Sequence, residues 1–260
     1  MLKIIPLLSA IIMLSACANH PHSNKNQFET IFNGNDLSGW IVKTHRYKLG
    51  EDPDNTFTVH NGMLRVDYTN YTGEFDDRFS HIYYEKPFTN FHLTLEYRFR
   101  GEMYTGAPSF AKLNSGVMFY AQSPDSILQN QNWPLSIEMQ FLAAGRKGTT
   151  RTTGNVCTPG TDIYINGALT KEHCINSSSD TYYSDNWVSA ELIVNNGDVT
   201  HIINGKTVLE YKRPQIGFTG TIKGIDKSAW DEGKVLSEGY ISLQSEGHPI
   251  DFKNVKIKAL

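Results

Sequence analysis

The chain has 260 residues, with 24 Lys and Arg against 27 Asp and Glu, so its formal net charge is only −3. This balance excludes a surface that follows nucleic-acid phosphates, which requires a clear basic excess. Aromatic residues make up 12% of the chain and there are 21 glycines, a composition typical of pleated strands joined by tight turns rather than of disorder or a coiled coil.

The N-terminus has the pattern of a secretion signal. Lys3 precedes an apolar run, Ile4–Met13, which is far shorter than the about 20 residues that a membrane-spanning helix needs. The run ends in Leu14-Ser15-Ala16-Cys17, which resembles a bacterial lipobox. We therefore predict that residues 1–16 are a lipoprotein signal peptide and that Cys17 is lipidated. An ordinary cleavage site with an incidental cysteine is the alternative.

The segment that follows predicts how the chain is attached. Residues 17–27 comprise the lipidated cysteine and a polar segment that is predicted to be a flexible tether. We expect the lipid anchor to be the only membrane contact. Ala18 follows the cysteine, and by resemblance to known sorting rules it favours the outer membrane, facing the periplasm or the cell surface. The sequence therefore predicts a bacterial cell-envelope protein.

Cys157 and Cys174 remain once Cys17 is set aside. An even pair in an exported chain predicts a disulfide, since export leads to an oxidising compartment. The alternative is a zinc site with His173 as a third ligand, although no C-x-x-C spacing accompanies the pair.

Residues 28–260 contain no linker or charge run that would divide them, which predicts one domain. Apolar residues alternate with polar ones over 91–99 and again over 255–259, a pattern typical of strands with one buried face. Asn195-Asn196-Gly197-Asp198 and Asn204-Gly205 are hairpin turn signals. No stretch keeps a helical period. We predict an all-β fold, a concanavalin A-like, glucanase-type jelly-roll sandwich of two antiparallel sheets.

The segment 136–142 is the strand most suggestive of function. Alternation places Glu138 and Gln140 on the face opposite its apolar side chains. Two residues apart on a strand, their Cα atoms are about 6.5–7 Å apart, which suits the binding of one sugar ring. The alternative is an ordinary solvated outer face.

Two further strands carry polar side chains. In the strand 114–120, alternation predicts that Asn114 and Tyr120 share a face with Gly116, where the missing Cβ permits a close approach.

The segment 240–249 brings Gln244, Glu246 and His248 to one strand end. Taken alone, His248 fits a turn or capping histidine better than a base.

Several motifs occur in the order expected for one family. They are residues 31–40 (IFNGNDLSGW), 57–64 (FTVHNGML), 114–117 (NSGV), the Glu138-x-Gln140 strand, and the ending from Leu243-Gln244-Ser245-Glu246-Gly247 to Phe252-Lys253-Asn254-Val255. Together they resemble the bacterial 3-keto-disaccharide hydrolases, also described as 3-keto-glucoside 1,2-lyases and hydratases. The resemblance runs from about Phe28 to Leu260.

The resemblance implies a concanavalin-like sandwich that acts on sugars already oxidised at C3. A ketone at C3 acidifies the hydrogen on C2, so a base can remove it and the enolate can expel the glycosidic oxygen from C1. Water adding to the resulting 2-hydroxy-glucal would complete a net hydrolysis. Such chemistry requires a base, stabilisation of the enolate oxygen and a proton for the leaving group.

The same resemblance suggests roles for the polar residues. Glu138 is the leading candidate for the base, and Glu246 or His248 for the second proton-transfer group. Asn114, Gln140 and Gln244 are predicted to bind the substrate, the first two as hydrogen-bond donors.

Aromatic stacking and metal binding are two further hypotheses. Tyr120 and Trp133 are predicted to stack on the sugar, and the alternative is that they are core or rim aromatics of the sandwich. A divalent cation could polarise the ketone, with Glu138, Gln140 or His173 as ligands.

Two rival functions remain open. Glu138 and Glu246 could form the carboxyl pair of a conventional glycosidase. However, Gln140 stands where concanavalin-like retaining glycosidases commonly have the second acid of a Glu-x-Asp-x-x-Glu pattern. The other rival is a surface lipoprotein that binds carbohydrate without cleaving it, since sandwich lectins and sandwich enzymes share a fold.

Overall fold

The computed structural model describes residues 27–217 and 222–260. The predicted signal peptide, Cys17 and all but the last residue of the predicted tether lie outside the described residues. No helix in the described part of the chain has both the length and the apolar character needed to cross a bilayer.

The described residues form strands and three single-turn 3-10 helices, Ser109–Ala111, Pro124–Ser126 and Lys227–Ala229. The strands are β1 Glu29–Thr30, β2 Trp40–Thr44, β3 Phe57–His60, β4 Met63–Val66, β5 Ser80–Tyr84, β6 Phe91–Phe99, β7 Asn114–Ala121, β8 Ile137–Leu142, β9 Asn155–Cys157, β10 Thr161–Ile165, β11 Ala168–Thr170, β12 Cys174–Ile175, β13 Val188–Asn195, β14 Asp198–Ile203, β15 Lys206–Ile216, β16 Tyr240–Ser245 and β17 Ile250–Ala259.

The strands form two sheets. A seven-stranded sheet has the order β12-β9-β8-β7-β16-β5-β2. A ten-stranded sheet has the order β11-β10-β15-β14-β13-β6-β17-β4-β3, with β1 paired to β17. The named strands pair antiparallel throughout, as between β7 and β8 and between β6 and β17. The predicted all-β, single-domain sandwich of two antiparallel sheets is confirmed.

The core lies between the inner faces of the two sheets. Residues of β6 alternate between buried and half-buried along the whole strand, as the sequence predicts. From the seven-stranded sheet, Ile137, Met139 and Phe141 enter the same core. Tyr97 of β6 stacks on Phe141 with ring centroids 4.1 Å apart, which joins the two sheets. Since β8 buries these apolar side chains, Glu138 and Gln140 lie on its other face, which we call the outer face of the seven-stranded sheet.

The two predicted hairpins are also confirmed. Asn196 and Gly197 have φ values of 52° and 83° between β13 and β14. Asn204 and Gly205 have φ values of 46° and 76° between β14 and β15. Two consecutive positive φ values are typical of the type I′ turn, whose twist matches that of the flanking strands. Asn and Gly adopt positive φ values readily, which explains the Asn-Gly pairs.

The prediction for Tyr120 is wrong. Met118 pairs with Ser242 and Ala121 with Tyr240, so β7 carries one extra residue in this interval, and Tyr120 has a φ of 46°. This bulge turns the Tyr120 ring into the core, where its hydroxyl donates to the carbonyl oxygen of Thr89 at 3.0 Å. A bulge inverts the alternation of faces, so Tyr120 cannot stack on a ligand at the outer face.

Candidate active site

A cavity of about 630 Å³ opens on the outer face of the seven-stranded sheet. This is within the range of about 300–1,000 Å³ that is typical of small-ligand sites. The residues that line it are Phe110, Asn114, Trp133, Glu138, Gln140, Cys157, Pro159, His173, Cys174 and Glu246. The fold therefore brings together most of the residues that the sequence selected, from β7, β8, β9, β12 and the end of β16.

Strand β8 supplies Glu138 and Gln140 to the cavity. Glu138 is only 5% exposed, so the interpretation of this face as an ordinary solvated one does not hold for it. Gln140 is half-buried, and its Oε1 accepts a hydrogen bond from Asn155 Nδ2 at 3.2 Å. The Nε2 group of Gln140 therefore remains as a donor for a ligand.

The Glu138 side chain lies over Gly116 of the neighbouring strand. A Cβ atom at residue 116 would come within 2.5 Å of Glu138 Oε1 and 2.8 Å of its Cγ. The close approach that the sequence predicts at Gly116 is therefore made by a carboxyl group of the protein. Gly116 permits Glu138 to adopt its observed position.

Glu246 follows the last residue of β16. Gln244 Nε2 donates a hydrogen bond to Glu246 Oε1 at 2.9 Å. The chain turns at Gly247, which has a φ of 114° and whose N–H donates to the Tyr68 hydroxyl at 2.7 Å. Gln244 does not line the cavity, and its observed contact is the one that orients Glu246.

Both carboxyl groups are held in an environment that opposes ionisation. Burial raises the pKa of Glu138 well above its ordinary range, and the charge of Glu246 raises it further. Burial also raises the pKa of Glu246, whereas the guanidinium of Arg151 lowers it. Glu138 Oε1 and Glu246 Oε2 are buried without a hydrogen-bond partner. Two such groups with unequal environments can divide the tasks of acid and base.

Arg151 is a functional candidate that the sequence analysis missed. It lies in the loop between β8 and β9, and its Nη1 donates to the carbonyl oxygens of Lys112 and Ala143 at 2.7 and 2.9 Å. These bonds fix the cation near Glu246. An arginine in a Gly- and Thr-rich loop carries no periodic signal, so only the tertiary fold shows the proximity of Arg151 to Glu246.

Asn114 and His248 differ from their predicted roles. Asn114 Nδ2 donates to the carbonyl oxygen of Phe110 at 3.1 Å, so its free buried atom is the acceptor Oδ1. His248 is buried against Phe99, with ring centroids 5.7 Å apart, and is not among the residues that line the cavity. Burial lowers the pKa of His248 to about 4, so the ring is neutral at pH 7. This placement favours Glu246 over His248 as the second proton-transfer group.

The aromatic wall of the cavity consists of Trp133 and Phe110. Trp133 packs against Phe79 with ring centroids 4.1 Å apart, and Phe79 also stacks on Phe110 at 6.3 Å. Phe110 is 54% exposed, so its ring is accessible to a ligand. Trp133 thus lies where stacking requires it, and Phe110 takes the place that the sequence analysis gave to Tyr120.

Cys157 and Cys174 form a disulfide that joins β9 to β12 and contributes to the cavity wall. The predicted pairing is confirmed. The alternative zinc site is wrong, because both sulfur atoms are consumed by the disulfide. His173 lines the cavity beside it, on the exposed edge of the sheet.

Removal of the disulfide is expected to destabilise the protein. The bond closes a sequence separation of 17 residues, for which the chain-entropy estimate is about 3 kcal/mol. We expect the Cys157→Ala/Cys174→Ser variant to unfold roughly 6–12 °C below the wild type in a thermal scan. Wild-type protein assayed with and without a reductant provides the control. An unchanged midpoint would show that the strand pairing of β9 and β12 alone holds this wall.

Metal binding by Glu138, Gln140 or His173 stays a prediction. Among the described residues, no three or more His, Cys, Asp or Glu side chains are grouped so that they could hold an ion. A cation in the cavity would be coordinated mainly by two carboxyl groups and by amide oxygens. One of these oxygens, Gln140 Oε1, already accepts a hydrogen bond. No step proposed below depends on a metal.

The site is thus a cavity of a size suited to a small ligand, with two aromatic side chains in its wall and two buried carboxyl groups. The chain belongs to the family of 3-keto-alpha-glucoside-1,2-lyase-like domains, whose model matches residues 27–258. The expected family is thereby confirmed, and it associates the chain with sugar processing or carbohydrate binding.

Solved structures share the fold. A protein of Parabacteroides distasonis, provisionally described as a glycosyl hydrolase, is 18% identical with a TM-score of 0.54, over 90% of this chain and 94% of that one. A Bacillus subtilis protein of unknown function with a galectin-like fold is 11% identical with a TM-score of 0.52, over the same shares of the two chains. At these identities the likeness establishes the fold. No curated protein matches the chain.

Proposed function

We propose that this protein cleaves 3-keto-glycosides by removing the proton on C2 and eliminating the substituent on C1. The observation that carries the proposal is the pair of buried carboxyl groups, Glu138 and Glu246, in one cavity of a chain that belongs to this family. The elimination needs one proton acceptor and one proton donor, and a pair whose environments differ can supply both.

Glu246 is the base in this proposal and Glu138 is the acid. Gln244 donates a hydrogen bond to Glu246, and Arg151 adds a positive charge, so both favour the carboxylate form. Glu138 accepts no hydrogen bond from any described residue, so it holds its proton more tightly. This reverses the order suggested by the sequence, in which Glu138 is the base.

The elimination balances without another reactant, and the hydration consumes one water molecule. Glu246 takes the hydrogen from C2, the electron pair forms the C1=C2 double bond, and the bond from C1 to the glycosidic oxygen breaks. Glu138 gives its proton to that oxygen. In the following hydration, Glu138 takes a proton from water as the water oxygen bonds to C1, and Glu246 gives its proton to C2, which yields the 3-keto sugar and restores both carboxyl groups.

The remaining lining residues would bind the sugar. Gln140 Nε2 can donate to the keto oxygen, where negative charge develops in the enolate. Asn114 Oδ1 can accept a hydrogen bond from a sugar hydroxyl. Trp133 and Phe110 offer apolar surfaces for stacking on a pyranose ring.

The two rival functions fit the site less well. Direct hydrolysis by a retaining glycosidase of this fold commonly uses the acids of a Glu-x-Asp-x-x-Glu strand, whereas Gln140 here occupies the second position and a neutral amide cannot act as nucleophile or acid. A purely sugar-binding site has no need of two buried carboxyl groups. Each has an oxygen without a hydrogen-bond partner among the described residues, and burying such an atom lowers the free energy of unfolding.

The proposal is tested by incubating the purified protein with a 3-keto-glucoside and with its unoxidised parent, each with and without a chelator. Release of the aglycone only from the keto sugar is the expected result. Release from the unoxidised parent would establish a conventional glycosidase instead. No release from either sugar, with sugar binding retained, would establish a binding module. Sensitivity to the chelator would show that a metal takes part.

We also propose that the protein acts in the bacterial cell envelope, held by a lipid on Cys17. The disulfide in the cavity wall supports this location, since such bonds persist in oxidising compartments. Labelling with a radioactive fatty acid in cells, compared with the Cys17→Ala variant, tests the anchor.

A further inference from the structure

Asn155 of β9 lies directly opposite Gln140 of β8 in the seven-stranded sheet. Asn155 Nδ2 donates a hydrogen bond to Gln140 Oε1 at 3.2 Å. Gln140 lines the cavity, whereas the Asn155 side chain, only 1% exposed, is not among the described residues that line it. Any effect of Asn155 on a ligand must therefore pass through Gln140.

The end of the Gln140 amide that faces the cavity decides what can bind there. The NH2 group can only donate hydrogen bonds, and the carbonyl oxygen can only accept them. A ketone oxygen, or the enolate oxygen formed from it, can only accept. Gln140 therefore serves the proposed reaction only when Nε2 faces the cavity and Oε1 faces away from it.

Backbone groups fix the orientation of the Asn155 amide. The Ser177 N–H donates to Asn155 Oδ1 at 2.9 Å, and Asn155 Nδ2 donates to the Thr152 carbonyl oxygen at 3.3 Å. A backbone N–H cannot accept and a carbonyl oxygen cannot donate, so these two contacts permit only one orientation. The Thr152 hydroxyl adds a second donor to Asn155 Oδ1 at 2.9 Å.

The Ser177 N–H is itself held in place. Ser177 Oγ donates to the carbonyl oxygen of Thr153 at 2.6 Å. Ser177 also lies shortly after Cys174, which the disulfide joins to Cys157 of β9. The donor is thus tied to β9 and to the residues before it, and its direction does not depend on a freely rotating side chain.

The orientation passes from one amide to the next. Because Asn155 presents Nδ2 to Gln140, the Gln140 atom that meets it must be the acceptor, Oε1. This leaves Nε2 as the end of the Gln140 amide that faces the cavity. In the reversed orientation two NH2 groups would face each other, and the hydrogen bond between the two side chains would be lost.

We propose that Asn155 is a positioning residue: held by the Ser177 N–H and the Thr152 carbonyl oxygen, it fixes Gln140 with Nε2 towards the cavity, as the donor for the oxygen on C3. The identity of that oxygen rests on the proposed function. A substitution at Asn155 therefore changes the polarity of the site although residue 155 does not touch the ligand.

Asn155→Asp is expected to reverse the Gln140 amide. At mildly alkaline pH the new carboxylate can accept from Ser177 but cannot donate, so Gln140 turns Nε2 towards it and presents Oε1 to the cavity. Turnover of a 3-keto-glucoside should fall about 10²–10³-fold, as on loss of one oxyanion donor. Asn61→Asp, at an exposed position in the turn between β3 and β4, is the matched control.

The relative affinity for two sugars is a readout that a merely structural role would not move. With Oε1 in the cavity, a ketone meets an acceptor, whereas the hydroxyl of the unoxidised parent can donate to it. The affinity for the keto sugar divided by that for the parent should therefore fall about tenfold or more in Asn155→Asp. Both affinities are measured by calorimetry in a Glu138→Gln background, so that the keto sugar is consumed slowly.

A second variant tests whether Asn155 acts through Gln140. Asn155→Leu is similar in size and removes the hydrogen bond without reversing it, so its effect on turnover should be smaller than that of Asn155→Asp. In a Gln140→Met protein, which has no amide at this position, adding Asn155→Leu should lower turnover no further. Effects that multiply in the double variant would overturn the positioning role.

Hydrogen exchange in the wild type needs neither a sugar nor a variant at residue 155. In NMR spectra of isotope-labelled protein, the side-chain amide signal that Gln140→Met removes belongs to the Gln140 NH2 group. Its hydrogens should exchange rapidly with solvent, as expected of a donor that faces an open cavity. Slow exchange would place Nε2 against Asn155 and overturn the proposal.

The results separate this proposal from the proposed function. An unchanged ratio of affinities in a folded Asn155→Asp protein would overturn the positioning role and leave the cleavage of 3-keto-glycosides standing. A lowered ratio in a protein that does not cleave 3-keto-glucosides would support the positioning role and reject the proposed reaction.

Discussion

Replacing Glu138 with glutamine is expected to lower aglycone release from a 3-keto-glucoside by about 10²–10⁴-fold, because a glutamine amide cannot give its proton to the leaving oxygen. Glutamine has nearly the same shape, so we expect the affinity for the substrate to change by no more than about threefold. Rates and affinities measured on the same preparations check this result. The exposed Glu102 supplies the matched control, since Glu102→Gln should leave both values unchanged. A variant with full turnover would remove Glu138 from the mechanism.

The same variant has a second readout in its stability. The pKa of Glu138 is raised in the folded protein, so the folded state holds this proton more tightly than the unfolded state does. As the pH rises above the ordinary value of 4.5, the unfolded state gains stability by ionising, so the free energy of unfolding of the wild type falls. Glutamine does not ionise. Glu138→Gln should therefore unfold several degrees above the wild type at pH 8, with the difference shrinking towards pH 4.5. A difference that does not vary with pH would contradict the raised pKa.

Gly116→Ala is expected to lower turnover by about 10²-fold and to destabilise the protein by about 1–3 kcal/mol. The added methyl would come within 2.5 Å of Glu138 Oε1 and 3.0 Å of the Met139 carbonyl oxygen, so the carboxyl group must move out of position. Kinetics and thermal unfolding measure the two effects.

Gly145→Ala is the matched control, because a Cβ there would have its nearest contact at 3.7 Å, an ordinary van der Waals distance. If Gly116 acts through Glu138, combining Gly116→Ala with Glu138→Gln should lower turnover no further than Glu138→Gln alone. If the two substitutions instead multiply their separate effects on turnover, Gly116 acts on the substrate by a route that does not involve Glu138.

The sequence predicts those features of the fold that depend on local patterns. Alternation over residues 91–99 and 136–142 identifies the buried faces of β6 and β8, and two Asn-Gly pairs locate hairpins. The same alternation puts Glu138 and Gln140 together on the outer face. Burial of Glu138 does not follow from the pattern, because it depends on what covers that face.

Other features depend on the tertiary fold. One extra residue in β7 turns Tyr120 into the core, and no alternation rule predicts where such a bulge falls. Phe110 and Arg151 reach the site from irregular connections, so their positions follow from the strands they join. The connection between β7 and β8 reaches past β16 and β5, where Gln129 contacts Arg46, and these two residues are far apart in the sequence.

The most direct test of the account is the fate of the hydrogen on C2. In D₂O, the purified protein should convert a 3-keto-glucoside into a 3-keto sugar that carries one solvent deuterium at C2, since elimination removes that hydrogen and hydration replaces it. Mass spectrometry and proton NMR of the product, compared with recovered substrate, an enzyme-free sample and Glu138→Gln, distinguish this from spontaneous exchange. Deuterium in the enzymatic product, formed together with aglycone release, is the result we predict. Aglycone release with the C2 hydrogen fully retained, at a rate that deuterium at C2 of the substrate does not change, would show direct hydrolysis at C1 and contradict the elimination.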